Sequence, residues 1–450
     1  MRKIPISDYE PYTVKIAEIL LFAGECSKEE IELIFDNNKR RASTYLYTHN
    51  HVFKTVKRQY KRKVLRYVRP ILNKKDETPF SLLLKAMDDG KNLAKTYYIE
   101  TMWKNGRLNT NESKGFRNSC IAHTAALLYD HYDIRPWARK TLLEMAKDAK
   151  TIEEMNRNLK EGEKAKAIPL IPQNTLYTTS EIKWFSKSGK TDPNEKVQTY
   201  EYRNSISTGT LVCDSGTYVI YALYQRPNNT VNWNEGTESR YLTQVNNVFR
   251  YLPCSDINKR VNNLMLIGNA EIAKAVCEAQ LSTDEDVKGL KLPDDIDKSI
   301  FVPDDLSAKE IIEIFSIPDY QQKLRDYYVP DKRDQFTESK TEDGIVNAPI
   351  YDSKGQELKD ENGKVLTEEK ELLLWFDNDL NRLCAALNKT ERSIKKLMIY
   401  CLESQSDLLD QLRRLSRNTK VSVSISSVEF EDIIGIIKTK GEEEKNEAAG

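Results

Sequence analysis

The sequence has no long apolar runs, little histidine and no paired cysteine. Across its 450 residues, no uninterrupted apolar stretch approaches the roughly 18 residues that a membrane-spanning helix needs. The opening MRKIPISDYEPYTVK has no apolar core of signal-peptide type and soon turns acidic. The seven cysteines (Cys26, Cys120, Cys213, Cys254, Cys277, Cys384 and Cys401) are odd in number and scattered, with no CxxC pair. That usage excludes a disulfide framework or a zinc ribbon and fits reduced, buried thiols. The expectation is a cytoplasmic protein with no membrane partner. Net charge is absent too, since 69 basic side chains balance 69 acidic ones. At face value that balance argues against a dedicated binder of nucleic acid or anionic membrane.

The balance is an average over two unlike regions. Residues 1–75 hold 17 Lys and Arg against 8 Asp and Glu, a local +9, so the other 375 residues carry −9. Between Lys39 and Arg69 there are eleven basic residues and no acid. The structural signals there follow a definite order. TVKIAEILLFA (Thr13–Ala23) reads as a helix stopped by Gly24. Ser27-Lys28-Glu29-Glu30 has the spacing of a capping box and opens a second helix with Ile31, Ile34 and Phe35 on one face. After Asp36-Asn37-Asn38 comes a third helix, with Ala42, Tyr45 and Leu46 inward and Lys39, Arg40, Arg41 and Thr44 outward. HVFKTVK and VLRYVR then alternate at period two about the basic turn RQYKRK, a hairpin pattern.

Three helices and a basic hairpin are the order of a winged helix-turn-helix, expected over residues 1–75. In that arrangement the third helix enters the major groove and the hairpin tip follows the phosphates. Arg40, Arg41 and Thr44 would approach base edges, flanked by Lys39. Lys57, Arg58, Lys61, Arg62, Lys63 and Arg66 would supply the salt-sensitive part of the affinity. Winged helices also serve as protein-docking modules, but a docking wing has no need of five cations at its tip.

The length suggests two to four units. A helical connector is expected over 76–165, with His123 and His131 on helices as core or capping groups. From 166 to 330 strands alternate with helices: STGTLVC and TYVIYALYQ as a hairpin, a helix from Thr237, the strand LMLIG, the helix AEIAKAVCEA, the strand SIFVP, and a helix whose cap is Ser307 to Glu310. That alternation predicts an α/β layer. Residues 331–366 read as a polar insertion or linker, 367–420 as a helical segment, and 421–450 as a short segment with a disordered acidic tail, GEEEKNEAAG. The fold class expected is α/β (α+β overall).

The chemical motifs are fragments. SKSGKT (Ser186–Thr191) ends like a phosphate-binding loop, but Trp184 stands where the first glycine belongs. His49-Asn50-His51 resembles a relaxase metal pair, but only two other histidines exist. A restriction-type nuclease needs an acid on one strand and acid-x-Lys on the next. TYVIYALYQ has neither, and Glu181-Ile182-Lys183 has no Asp in the fifteen residues before it. The expectation is therefore no catalytic residue, no metal and no cofactor.

LYTTSEIK, STGTLVCDSGTYVIYALYQ and VNWNEGTESRYLTQVNNVFRYL follow the N-terminal module and the histidine-bearing NSCIAHTAALLYD. In this order, over roughly residues 10–320, the chain resembles the replication-relaxation family of mobile genetic elements, in the form carried by conjugative elements of Gram-positive bacteria. Gly236-Thr237-Glu238 matches that family's acid-rich turn into a long helix. The resemblance implies a central restriction-endonuclease-like core, here without its catalytic residues. It also implies an accessory role on double-stranded DNA in replication, relaxation or transfer, alongside other replication or transfer proteins. The apolar stripes of the C-terminal helices could join two copies in a homodimer or, at least as readily, pack within the chain. The rival readings are a winged-helix transcriptional regulator with a ligand- or partner-binding α/β domain, and a metal-dependent DNA nuclease.

Overall fold

The computed structural model describes residues 5–60, 63–72, 77–104, 112–159, 163–188, 205–224, 233–282, 290–305, 307–329, 342–350, 356–390, 394–416, 418 and 420–447. The chain is mixed α/β and divides into two compact units, Met1–Asn262 and Asn263–Gly450. Among the described residues no helix is long and apolar enough to cross a membrane.

The first unit opens with α1 (Pro11–Ala23), started by Pro11 and buried on nearly every side from Ile16 to Ala23. Gly24 ends it at φ 94°, a left-handed conformation that glycine adopts without a Cβ clash, and its amide donates to the Leu20 carbonyl at 2.7 Å. Next come β1 (Cys26–Ser27), α2 (Lys28–Ile34), α3 (Lys39–Thr48), β2 (Phe53–Tyr60) and β3 (Lys63–Pro70). The three strands form an antiparallel sheet in the order β1-β3-β2. Asp36 and Asn37, both at positive φ, turn the chain between α2 and α3. Asn38 caps α3 by accepting from the Arg41 amide at 3.0 Å.

Ser27 makes no capping bond to α2. Glu30, the other half of the expected box, instead accepts from His123 Nδ1 at 2.6 Å, so a tertiary partner has displaced a local one. The helices α4 (Pro79–Met87), α5 (Leu93–Tyr97), α6 (Glu112–Leu128) and α7 (Leu142–Arg157) follow. α5 runs into a π-helical turn, Tyr98–Lys104, and α6 packs on α1, β1 and α2. β4 (Thr175–Tyr177), α8 (Thr179–Ser188), β5 (Gly209–Cys213), β6 (Gly216–Ala222), α9 (Glu235–Arg250) and α10 (Asp256–Lys259) complete this unit. β4, β5 and β6 form an antiparallel ladder in that order, and β5 and β6 are buried along their whole length.

In the second unit β7 (Asn263–Gly268) and β8 (Lys298–Pro303) pair in parallel across α11 (Ala270–Leu281). After them come α12 (Ala308–Ser316), α13 (Tyr320–Tyr328), β9 (Gly344–Pro349), β10 (Thr367–Leu374), α14 (Leu380–Asn388), β11 (Lys396–Leu402), α15 (Ser406–Arg413), β12 (Ser422–Val428) and α16 (Phe430–Glu447). The cap expected at Ser307 is not made: its Oγ donates to Asp305 at 2.5 Å, and Glu310 accepts from Ser404 Oγ at 2.5 Å instead.

The expected helical segment over 367–420 is a correction. It alternates β10-α14-β11-α15, and β10, β11 and β12 form a parallel sheet with β9 antiparallel at one edge. LLLWF and LMIYCL are short apolar runs whose residues are buried or half-buried. Such runs have no period to separate strand from helix, and parallel strands covered on both faces look like this. The backbone of the acidic tail is likewise helical to Glu447 rather than disordered. β9 shows that the polar stretch 331–366 holds sheet structure within its described part.

Candidate nucleic-acid interface

The first unit presents its cations on two adjoining elements. On α3, Ala42, Tyr45 and Leu46 are buried, while Lys39, Arg40, Arg41 and Thr44 are exposed. This is the division that the helical period of KRRASTYLYT dictates. On the hairpin, Phe53, Tyr67 and Val68 hold the inner end in the core, and Lys54, Lys57 and Arg66 are exposed. Lys57 stands directly opposite Arg66 in the β2–β3 ladder. Like charges at directly opposed positions destabilise a hairpin, and neither residue has an ion-pair partner among the described residues.

An open groove of about 720 Å³ runs beside α3, lined by Tyr12, Asn38, Arg40, Arg41, Thr44 and His49, among others. Arg41 is not a free arm. Its guanidinium lies over Tyr12 and Phe35, 5.0 and 5.5 Å from the ring centroids, and donates to the Tyr12 hydroxyl at 3.2 Å. Arg40 has no such engagement among the described residues and is the arginine available to a ligand. The signal for Tyr12 was in the sequence, because an aromatic four residues before Ile16 on the same helix faces the same side.

His49 and His51 do not make a metal pair. The His49 ring stacks on Tyr45, with centroids 4.0 Å apart. Its Nδ1 lies 3.0 Å from both the Tyr45 carbonyl and Thr48 Oγ1, and its Nε2 lies 3.7 Å from Glu10. It terminates α3. Tyr45 bonds to Thr13 Oγ1, and burial pushes its phenol up to about 12.

Two acids, the buried Glu25 and the half-buried Glu30, hold this face to the helices behind it. Glu25, at the turn after α1, has no exposed side-chain surface and accepts from Arg69 Nε on β3, with Asn118 of α6 at 3.5 Å. Glu30 on α2 takes His123 of α6, as above. Neither pairing was legible, because each joins residues at least 44 positions apart.

Of the ten cations and polar groups expected at a DNA face, Lys39, Arg40, Arg41, Thr44, Lys57 and Arg66 are exposed on α3 and the hairpin. Arg58 and Lys63 lie in the ladder opposite Leu65 and Tyr60. Lys61 and Arg62 lie outside the described residues, as does Ser186–Thr191 from Gly189 onward.

The residues weighed for nuclease chemistry have other duties. Glu181 sits on α8 rather than on a strand. It accepts from Arg139 through both oxygens, each at 3.0 Å, and caps the helix at the Thr178 amide, 2.8 Å away. Asp214 is exposed at the β5–β6 turn, with Asn174 at 3.5 Å. Among the described residues no three His, Cys, Asp or Glu side chains are grouped to hold a metal ion.

Glu238, from the Gly-Thr-Glu turn, is buried. It accepts from Ser205 Oγ at 2.7 Å and the Ile206 amide at 3.1 Å, and burial raises its carboxyl above the ordinary range. Arg117 donates to the Ser205 carbonyl at 2.6 Å and to the Ser207 carbonyl at 3.3 Å. Together they fasten residues 205–207 to α6 and α9.

No protein-family model matches the sequence, no curated protein matches it, and no solved structure matches its fold.

Proposed function

We propose that the first unit binds double-stranded DNA through a winged helix-turn-helix made of α1–α3 and β1–β3, as a non-catalytic accessory of a mobile element acting in the cytoplasm. α3 would lie in the major groove with Arg40 and Thr44 toward base edges, and the β2–β3 hairpin would follow the phosphates. The observation that carries the reading is the opposed, exposed pair Lys57 and Arg66. Two cations held side by side, with no acid among the described residues to neutralise them, disfavour the hairpin by itself. A polyanion beside them, such as a duplex phosphate backbone, reverses that sign. Arg41, stacked on Tyr12, positions α3, and Arg40 reads. The half-buried Glu181 and the buried Glu238, each committed to hydrogen bonds within the fold, support a scaffold rather than a catalytic role for the rest of this unit.

The test is duplex binding by fluorescence anisotropy across a salt series. The log-log slope is expected to be steep and to fall by about 0.9 for each of Lys57→Ala and Arg66→Ala, the contribution of one phosphate contact. Arg40→Ala is expected to relax sequence preference at about 1–3 kcal/mol per base pair lost. Salt-independent binding, or slopes unmoved by both hairpin variants, would overturn the reading.

One observation favours the regulator as the second reading. A small, mostly apolar cavity of about 190 Å³ lies between α5, α7 and α8, lined by Tyr97, Leu142, Thr178, Trp184 and Phe185. It is large enough for a small aromatic effector. Enrichment of promoter sequences over transfer-origin sequences from a genomic library would decide for that role.

A further inference from the structure

The second unit carries a sheet edge that no strand among the described residues closes. β12 is the outermost strand of the order β12-β11-β10-β9 and pairs on one side only, in parallel with β11. Its seven residues, SVSISSV, are all exposed or half-exposed. Among the described residues its backbone bonds run to β11 and, through the Ser422 amide, to Lys395 at 3.0 Å. The one further side-chain contact with its carbonyls is Arg413 to Val423, at 3.4 Å.

Natural edges are blunted by lysine, proline, bulges or a covering element, because a bare row of amides and carbonyls templates another strand. The opposite edge shows such devices. β9 ends on Pro349, which has no amide to donate, and starts on Gly344, where a Cβ would come within 2.7 Å of Val329. β12 has no charge, no proline, no glycine and continuous pairing without a bulge.

The strand is also close to self-complementary. An antiparallel two-fold centred on Ile425 sets Ile425 against Ile425, Ser424 against Ser426, and Ser422 against Val428. Exposed Lys420, just before the strand, then faces the exposed Glu429 and Glu431 just after it on the other copy. Opposite charges meet at both ends, and no like charges meet at the centre.

We infer that β12 is the contact through which two copies of this chain associate, joining their four-stranded sheets edge to edge about a two-fold axis. The apolar stripes of the C-terminal helices do not serve that purpose. Leu383 and Leu387 of α14 and Leu409 and Leu412 of α15 are buried within the second unit. A seven-residue edge contact is small beside a permanent dimer interface, so the association is concentration-dependent. It stands independently of the DNA-binding reading.

Sedimentation velocity of the full chain tests it. From about 1 to about 100 µM, the range that a weak contact requires, the mass is expected to rise from 52.0 kDa toward twice that value. Ile425→Lys brings two cations together on the axis and should hold the chain at monomer mass with an unchanged far-UV spectrum. Ile425→Cys gives a readout that does not depend on a disruptive variant. With oxidised glutathione, two Cys thiols on the axis become one disulfide and two glutathione thiols are released, giving a covalent dimer. Ser422→Cys, placed opposite Val428, should not cross-link to itself. Monomer mass at every concentration overturns the inference, as does a dimer that persists in Ile425→Lys. Equal cross-linking of the two cysteine variants points to a different occupant of the edge and overturns it too.

Discussion

Replacing Arg69 by methionine is expected to cost about 3–5 kcal/mol of stability at neutral pH, the range for breaking one half of a buried ion pair. Glu25 is fully buried, and Arg69 is 17% exposed at its side chain. Removing the guanidinium leaves a carboxylate in a low-dielectric site without the cation that faces it. Water cannot reach that carboxylate to compensate, so the cost is the desolvation of a full charge rather than the loss of one hydrogen bond. Glu25→Gln should cost less, since the amide oxygen still accepts from Arg69 Nε and the residual charge is the less buried of the two. The double variant Glu25→Gln with Arg69→Met should recover most of the loss, because a neutral amide beside an apolar chain leaves no buried charge. Urea midpoints of the two single variants and the double variant close the cycle. Additive costs would show that the pair is not coupled. The consequence reaches function, because Arg69 lies in the same strand as Arg66 and fastens β3 to the turn after α1. Loss of that tie frees the hairpin against α3, so Arg69→Met should also weaken duplex binding in the proposed reading, although Arg69 itself need touch no phosphate.

The contrast between what was and was not legible in the sequence follows from the range of the interactions. α1, α2, α3 and the hairpin were readable because their signals are local. Gly24 needs a left-handed φ, Ala42, Tyr45 and Leu46 recur at helical spacing, and HVFKTVK alternates at period two. The exposed cations of α3 follow from the same period. β5, β6, β7 and β8 were readable because turn residues or a following helix bound each apolar run. In 367–420 the runs LLLWF and LMIYCL have helices beside them in sequence, and a continuous apolar run has no period of its own. The helical patterns that flank them in sequence predict helix across them as well. Both capping boxes read from Ser-x-x-Glu spacing failed because that spacing is a local statement: His123 takes Glu30 in the first case, and Asp305 takes Ser307 in the second. The engagement of Arg41 by Tyr12 and Phe35, and that of Glu25 by Arg69, are tertiary. They decide which of the candidate cations is free to meet DNA, and a pattern of charges along a chain does not contain that information.

The second unit should lose stability as pH rises from about 4 to above 6, opposite to the usual behaviour of a hydrogen-bonded carboxylate. Asp379 opens α14 just beyond β10, with almost no exposure. Burial pushes its carboxyl up to about 6 from an ordinary 3.8, and neighbouring Asp377 adds to the rise; the Ser299 amide, Lys298 and Arg382 oppose it. Because the folded state holds this proton more tightly than the unfolded chain, folding takes up a proton between those two values. The stabilisation is complete below about 4 and is lost as pH passes through 6. Asp379→Asn separates the charge from the geometry. The amide oxygen can still accept from the amides of Ser299 and Asn381, which the carboxylate meets at 3.0 and 3.1 Å, while the desolvated charge is gone. The variant is therefore expected to be more stable than the parent at pH 8, on the order of 1–3 kcal/mol, with the difference shrinking toward pH 4. Asp379→Ala is equally neutral but removes the acceptor of the buried Ser299 amide and the cap of α14, and it should destabilise at every pH. Thermal or urea unfolding of the parent and both variants at pH 4.5 and 8 distinguishes the two effects. An Asp379→Asn variant whose advantage does not change with pH would mean that this carboxyl ionises alike in the folded and unfolded chain. The expected reversal would place a desolvated charge at the carboxyl end of β10, held there by the backbone bonds that start α14.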